Sequence, residues 1–326
     1  MSEEKNELPF TEILQMLQGE ESLNVAHLYR LSDMEQADRD AFMALWRQLQ
    51  APRRRMIVQH LADIMEENFE VEFGPIFTHC LADEDDQVRV AALEGLWDST
   101  DTRLVSRILH LLSEDDSEAV QVAAARALAH FVLMIEWGQL PPRHKPDIVT
   151  ALLAGWDRPD APIALKRAAL EAVAAADHPR VSELIRDAYG SRRLELQVSA
   201  IYAMGLTADP AWIATINEEL ESPYDEIRAE AARAAGNIGR SDTVERLRQM
   251  VDDPEPEVQF AVIEALAQIG SDEASEILNE ILEDEEAAHL HEAVEEAMAE
   301  MSFFQMSDFT LLDFDGDDVD DEDDDM

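Results

Sequence analysis

The sequence predicts an all-α protein: a right-handed α-solenoid of about seven to eight antiparallel helical hairpins, ending in a disordered acidic tail. Three observations lead there. A block of similar residues returns every 31 or 32 positions. Its apolar residues follow the 3.6-residue helical period, not the two-residue period of a strand. Helix-breaking residues are scarce outside the turns that separate these stretches.

The block reads Asp86-Gln87-Val88-Arg89-Val90-Ala91-Ala92-Leu93-Glu94-Gly95-Leu96, and returns from Glu226 to Gly236 and from Glu257 to Leu266. With its opening aliphatic residue as anchor, the anchors are Val88, Val120, Leu165, Leu196, Ile227, Val258 and Leu290, spaced 32, 45, 31, 31, 31 and 32 apart. Small or apolar residues stand three, four, five and eight positions later, as in Ala91, Ala92, Leu93 and Leu96. They form one stripe on a helix, and its alanines let two helices approach closely. Before each anchor runs a second amphipathic stretch, for example Leu104–Leu112 or Ile277–Leu282. Acidic turns such as Asp83-Glu84-Asp85-Asp86 join the two, because Asp caps the free amides of the next helix and suits its dipole.

Taken in chain order, residues 1–30 read as an N-terminal cap segment and 31–306 as the solenoid, with a degenerate unit from Arg53 to Met65. The one long spacing points to a loop at 137–146, where three prolines and a glycine forbid a helix. Residues 307–326 read as the disordered acidic tail.

These blocks resemble the HEAT repeat family in its short bacterial form, over roughly residues 70 to 300 and more loosely 30 to 70. The resemblance implies a ladder between an acid five before each anchor and a basic residue one after it. Asp83, Asp115, Asp160 and Asp253 fit the acid; Arg89, Lys166 and Arg228 fit the base. Gln121, Gln197, Gln259 and His291 replace the base, and Ser191 and Ser222 replace the acid, so a patchy ladder is expected. Some members of the wider family are bilin lyases and others di-iron hydroxylases rich in His-Glu dipeptides. Here only His291-Glu292 occurs, which argues against the hydroxylase.

The chain carries 72 acids against 25 Lys and Arg, a net charge of −47. The last basic residue is Arg248, and 28 acids follow it without a Lys or Arg. Nucleic-acid binding, which draws on cations at phosphates, is therefore disfavoured, and like-charge repulsion favours a monomer. A single cysteine, Cys80, permits no internal disulfide and reads as a buried small hydrophobe. Apolar runs such as Phe131–Ile135 are far too short to span a bilayer. The N-terminus lacks the basic start and apolar stretch of a signal peptide, so no membrane association and a cytoplasmic location are expected.

In such a solenoid the second helix of each hairpin lines the concave face. Six after the anchor come Glu94, Arg126, Glu171, Tyr202, Arg233, Glu264 and Glu296; Trp97 and His130 stand close by in the register. The expected function is a non-catalytic scaffold or adaptor whose groove holds a basic protein segment, with no cofactor. A second candidate is the tail motif Phe309, Leu311, Leu312 and Phe314, read either as a docking motif or as part of a solubilising tail. Asp313, Asp315 and Asp317 alternate around Gly316 much as in the calcium-binding type 3 repeats of thrombospondins, but one copy is present and weak counterion binding is the plainer reading. Two other functions compete: a lyase or accessory protein of the bilin-lyase type, and an acidic chaperone-like buffer for nucleic-acid-binding proteins.

Overall fold

The computed structural model describes residues 8–19, 23–32, 34–68 and 70–312, with side chains placed as far as Met301. Among them are eighteen α-helices and no strand. The chain divides into two compact units, residues 1–184 and 185–326, with the boundary inside α11 (Val181–Tyr189).

The first unit opens with α1 (Phe10–Gln18) and the single turn α2 (Val25–Leu28), which pack on α3 (Gln36–Trp46) and α4 (Ala51–Glu67) respectively. Hairpins follow as α5 (Gly74–Cys80) with α6 (Asp86–Glu94), α7 (Val105–Glu114) with α8 (Glu118–Glu136), and α9 (Lys145–Asp157) with α10 (Ile163–Val173). The second helices stack in order, α4 on α6, α6 on α8 and α8 on α10. In the second unit α12 (Leu194–Leu206), α14 (Asp225–Ile238), α16 (Pro256–Ile269) and α18 (His291–Leu312) stack the same way. There α13 (Ile213–Glu219), α15 (Val244–Gln249) and α17 (Asp272–Glu283) back them.

Local chemistry sets the ends. Asp85 accepts from the Val88 amide and Ser271 from that of Ala274, each capping a helix start. Gly239 and Gly270 end α14 and α16 in the left-handed conformation, at φ 69° and 60°, which a side chain would strain. All seven anchors are buried, as are Leu96, Leu266 and Cys80. The stacking is tightest where the sequence places glycine: a Cβ on Gly205 would stand 2.7 Å from Ala234 Cα, and one on Gly236 2.8 Å from Ala265 Cα.

The long spacing is only partly a loop. Helix α8 runs for 19 residues before ending at Trp137, and α9 already starts at Lys145 with Pro146 in its first turn, where its missing amide costs nothing. Helix α8 is also long and apolar enough to cross a membrane by length and composition, against the sequence expectation; most of it is buried against its neighbours in the first unit. The backbone of α18 continues past the expected boundary at 306 to Leu312.

The ladder forms where both partners exist. Arg89 forks the Asp115 carboxylate at 2.8 and 2.9 Å and also donates to the Asp83 carbonyl. Arg228 does the same with Asp253 and the Ser222 carbonyl. Arg54 adds an unforeseen rung, buried and donating to Asp83 at 2.9 Å, to Glu84 and to the Leu49 carbonyl. Asp160 and Lys166 make no rung, because each rung joins one repeat's base to the next repeat's acid and their counterparts are Gln121 and Ser191. Asp160 is exposed and near Arg158, while Lys166 lies over the Trp156 ring at 5.5 Å.

Candidate functional site

In the first unit the face made by the second helices gathers three of the expected groove residues. Glu94, Trp97 and Arg126 line an open hollow of about 230 Å³ with Glu66, Leu93, Ala123 and Ala127. Glu66 ends α4, Leu93 and Glu94 end α6, Trp97 follows in the turn, and α8 supplies the rest. The floor is thus apolar and the rim charged. Burial pushes the Glu94 carboxyl above the usual range; Arg126 pulls it back, while Glu66 and Asp63 add to the rise. His130, one turn beyond Arg126, is half-buried with its edge to Phe131. Burial pushes its pKa down against the pull of Asp98, and its Nε2 faces no protein partner. Glu171 stands on α10 and pairs at 3.6 Å with Arg167 on the same helix.

In the second unit Glu264 and Glu296 come together. With Glu292, Glu300 and His289 they ring a hollow of about 490 Å³ whose apolar lining is Phe260, Ile263, Ala293 and Ala297. Glu292, Glu296 and Glu300 recur at four-residue intervals on α18 and therefore share a face. His289 is held by Gln259 at 3.0 Å. Arg233 does not stand free. It pairs with Glu257, with Glu264 at 3.3 Å and with Glu230 at 3.7 Å. Tyr202 is exposed on α12 and does not line this hollow.

Two members of the hollows escape sequence reasoning. Glu66 lies in the degenerate hairpin, which offers no anchor from which to count. Glu292 follows its anchor by two, one helical turn before Glu296, so counting six from the anchor does not reach it. In the expected tail motif Phe309, Leu311 and Leu312 fall on the α18 backbone. Phe314, Asp313, Asp315 and Asp317 lie outside the described residues. Among the described residues no group of three or more His, Cys, Asp or Glu is placed to hold a metal ion.

A family model described as HEAT repeats matches residues 75–152 and 213–299, together half of the chain. Among solved structures, the chain is similar to the CpcE–CpcF complex of the phycocyanin lyase of Nostoc sp. PCC7120. That match has 17% identity and a TM-score of 0.53, and covers 86% of this chain and 96% of that one. It is also similar to Kap95p in its complex with RanGDP, at 14% identity and a TM-score of 0.49 over 90% of this chain and 46% of that one. A third likeness is to the Escherichia coli protein YibA, at 14% identity and a TM-score of 0.43 over 93% of this chain and 99% of that one. At such identities the lyase complex speaks for a shared fold alone. No curated protein matches the sequence.

Proposed function

This chain belongs to the HEAT repeat family, and from that premise we propose that it is a non-catalytic interaction module that holds a basic segment of another protein. The observation that carries this is the hollow of the second unit. Four glutamates ring an apolar lining; Arg233 reaches Glu264, but Glu292, Glu296 and Glu300 pair with no Lys or Arg among the described residues, and past Arg248 the sequence supplies none. Stacked helical hairpins present extended faces suited to peptide segments. Carboxylates on such a face steer a cationic partner in and fix its register, and the apolar lining accepts the aliphatic stems of Lys and Arg.

The test is fluorescence anisotropy of a labelled Gly/Ser peptide carrying several arginines. Affinity should fall steeply as added salt shortens the screening length from about 30 Å at 0.01 M to about 8 Å at 0.15 M. The joint change Glu292→Gln, Glu296→Gln should weaken it further, while removal of residues 313–326 should leave binding through the hollow in place. Binding indifferent to salt and to the glutamine variants would overturn the proposal. Binding lost with residues 313–326 alone would move the function to the acidic buffer reading.

A further inference from the structure

The chain has five tryptophans, and their surroundings differ in one telling respect. Trp46 is buried and donates its indole N–H to Asp83 at 2.8 Å. Trp156 lies beneath Lys166, and Trp212 beneath the guanidinium of Arg186, each cation 5.5 Å from the ring centre. Twice, then, the protein covers an indole with a cation of its own. Trp137 ends α8 and is 62% exposed. Trp97 is 45% exposed, lines the hollow of the first unit, and among the described residues carries no such cation on its ring.

We propose that this hollow takes one arginine side chain of a partner protein, with the guanidinium stacked on Trp97 and bridged to Glu94 and Glu66. This rests on the basic-segment reading above and adds a second point of purchase, specific where the first is diffuse. Size argues for a side chain: about 230 Å³ is below the roughly 300–1,000 Å³ of small-molecule sites. Charge argues for a cation. Glu66 and Glu94 line the hollow and Asp63 is near enough to act on Glu94, against the single guanidinium of Arg126. Arginine suits it better than lysine, because a planar guanidinium stacks on an indole, forks carboxylates and is less strongly hydrated. Arg126, which makes no ion pair among the described residues, is the like charge that the incoming group must avoid. It confines that group to the side of the hollow held by Trp97 and the carboxylates.

Two readouts on the full chain test this. In ¹⁵N-labelled protein, with the Trp97 indole N–H signal assigned through Trp97→Phe, added N-acetyl-arginine methylamide should shift that signal, and the lysine analogue should shift it less. In the anisotropy assay, Trp97→Ala should weaken the arginine peptide roughly five-fold, as loss of a partly desolvated cation–π contact implies. Glu94→Gln should also weaken it, and Arg126→Gln should tighten it. Weakening by Arg126→Gln would mean that Arg126 helps to hold the peptide instead of repelling its guanidinium, and overturns the inference. Peptide binding that ignores Trp97→Ala, Glu94→Gln and Arg126→Gln also overturns it, yet leaves the second unit's role standing. If the arginine peptide does not bind the wild-type protein at all, the basic-segment reading fails and takes this inference with it.

Discussion

Glycine-to-alanine substitution should act with opposite sign at two helical positions, and the difference follows from packing alone. Gly236 sits inside α14 against α16. A methyl group there would stand 2.8 Å from Ala265 Cα, 3.1 Å from its Cβ and 2.8 Å from the Gln268 side-chain oxygen. The amide can swing away, but the Cα belongs to the backbone of the stacked helix, so the helices must part. Overpacking of this kind costs about 1–3 kcal/mol. Alanine returns about 1 kcal/mol through its better helix propensity. Gly236→Ala should therefore cost up to about 2 kcal/mol net. Gly155 lies inside α9, where a methyl group meets only Ala169 Cβ at 4.0 Å, an ordinary contact. Gly155→Ala keeps the propensity gain without the clash and should stabilise by about 0.5–1 kcal/mol. Urea unfolding followed by circular dichroism measures both. If the Gly236 variant is stabilised as much as the Gly155 variant, the close approach of α14 and α16 is wrong.

Three further outcomes follow from the fold. Leu266 is fully buried, and Leu266→Ala should cost about 2–5 kcal/mol in the same urea titration; a loss below 1 kcal/mol would displace it from the core. The Arg55 guanidinium, bonded to Asp85 at 2.7 Å, holds that carboxyl below the usual range, so the folded value lies under the unfolded one. Its contribution is present above the unfolded value of about 3.9 and is lost as pH falls through the folded one. Asp85→Asn keeps a capping oxygen, so the variant should be less stable at neutral pH and converge with the wild type in acid; a gap that stays constant with pH would contradict the ion pair. Cys80 is buried and its thiol pKa is pushed well up, first by desolvation and then by Asp83. A disulfide reagent should leave it untouched in native protein and label it as the first unit unfolds. Prompt labelling of native protein would place Cys80 at the surface.

Much of the fold is legible in the sequence because close helix stacking narrows the residue choice at each position. Ala91, Ala92 and Leu93, or Ala261, Val262 and Ile263, are what the stripe requires, and a fixed hairpin length turns that need into a period. The ladder is legible only where its partners keep register. Arg89 and Arg228 do, and both pair as the resemblance implies. Arg54 performs the same task in α4, but the position before it is Arg53, whose guanidinium caps the end of α1 at the Leu17 and Met16 carbonyls. With no aliphatic anchor there, the rung cannot be counted from sequence. Lys166 marks the opposite limit. Its position suits the ladder, but the next repeat offers Ser191 where the acid would stand, and Lys166 lies instead over Trp156 of the preceding helix, a contact that no periodic rule records.

Charge is the property for which position along the chain misleads most. In sequence Arg233 is a cation projected from the groove, equal in standing to Arg126. In the folded chain Arg233 is shared among Glu230, Glu257 and Glu264, whereas Arg126 makes no ion pair among the described residues. The bookkeeping that matters is therefore what remains after each cation has met its own neighbours. On α18 no Lys or Arg among the described residues pairs with Glu292, Glu296 or Glu300, and the last basic residue in sequence, Arg248, is itself bonded to Glu280. Unanswered carboxylates at four-residue spacing repel one another along the helix they share, by a few tenths of a kcal/mol per pair. A bound cationic segment would relieve that repulsion. The same residues that make α18 less stable alone would then make it more stable in complex, so the arginine peptide should raise the melting temperature of the wild type more than that of Glu292→Gln, Glu296→Gln.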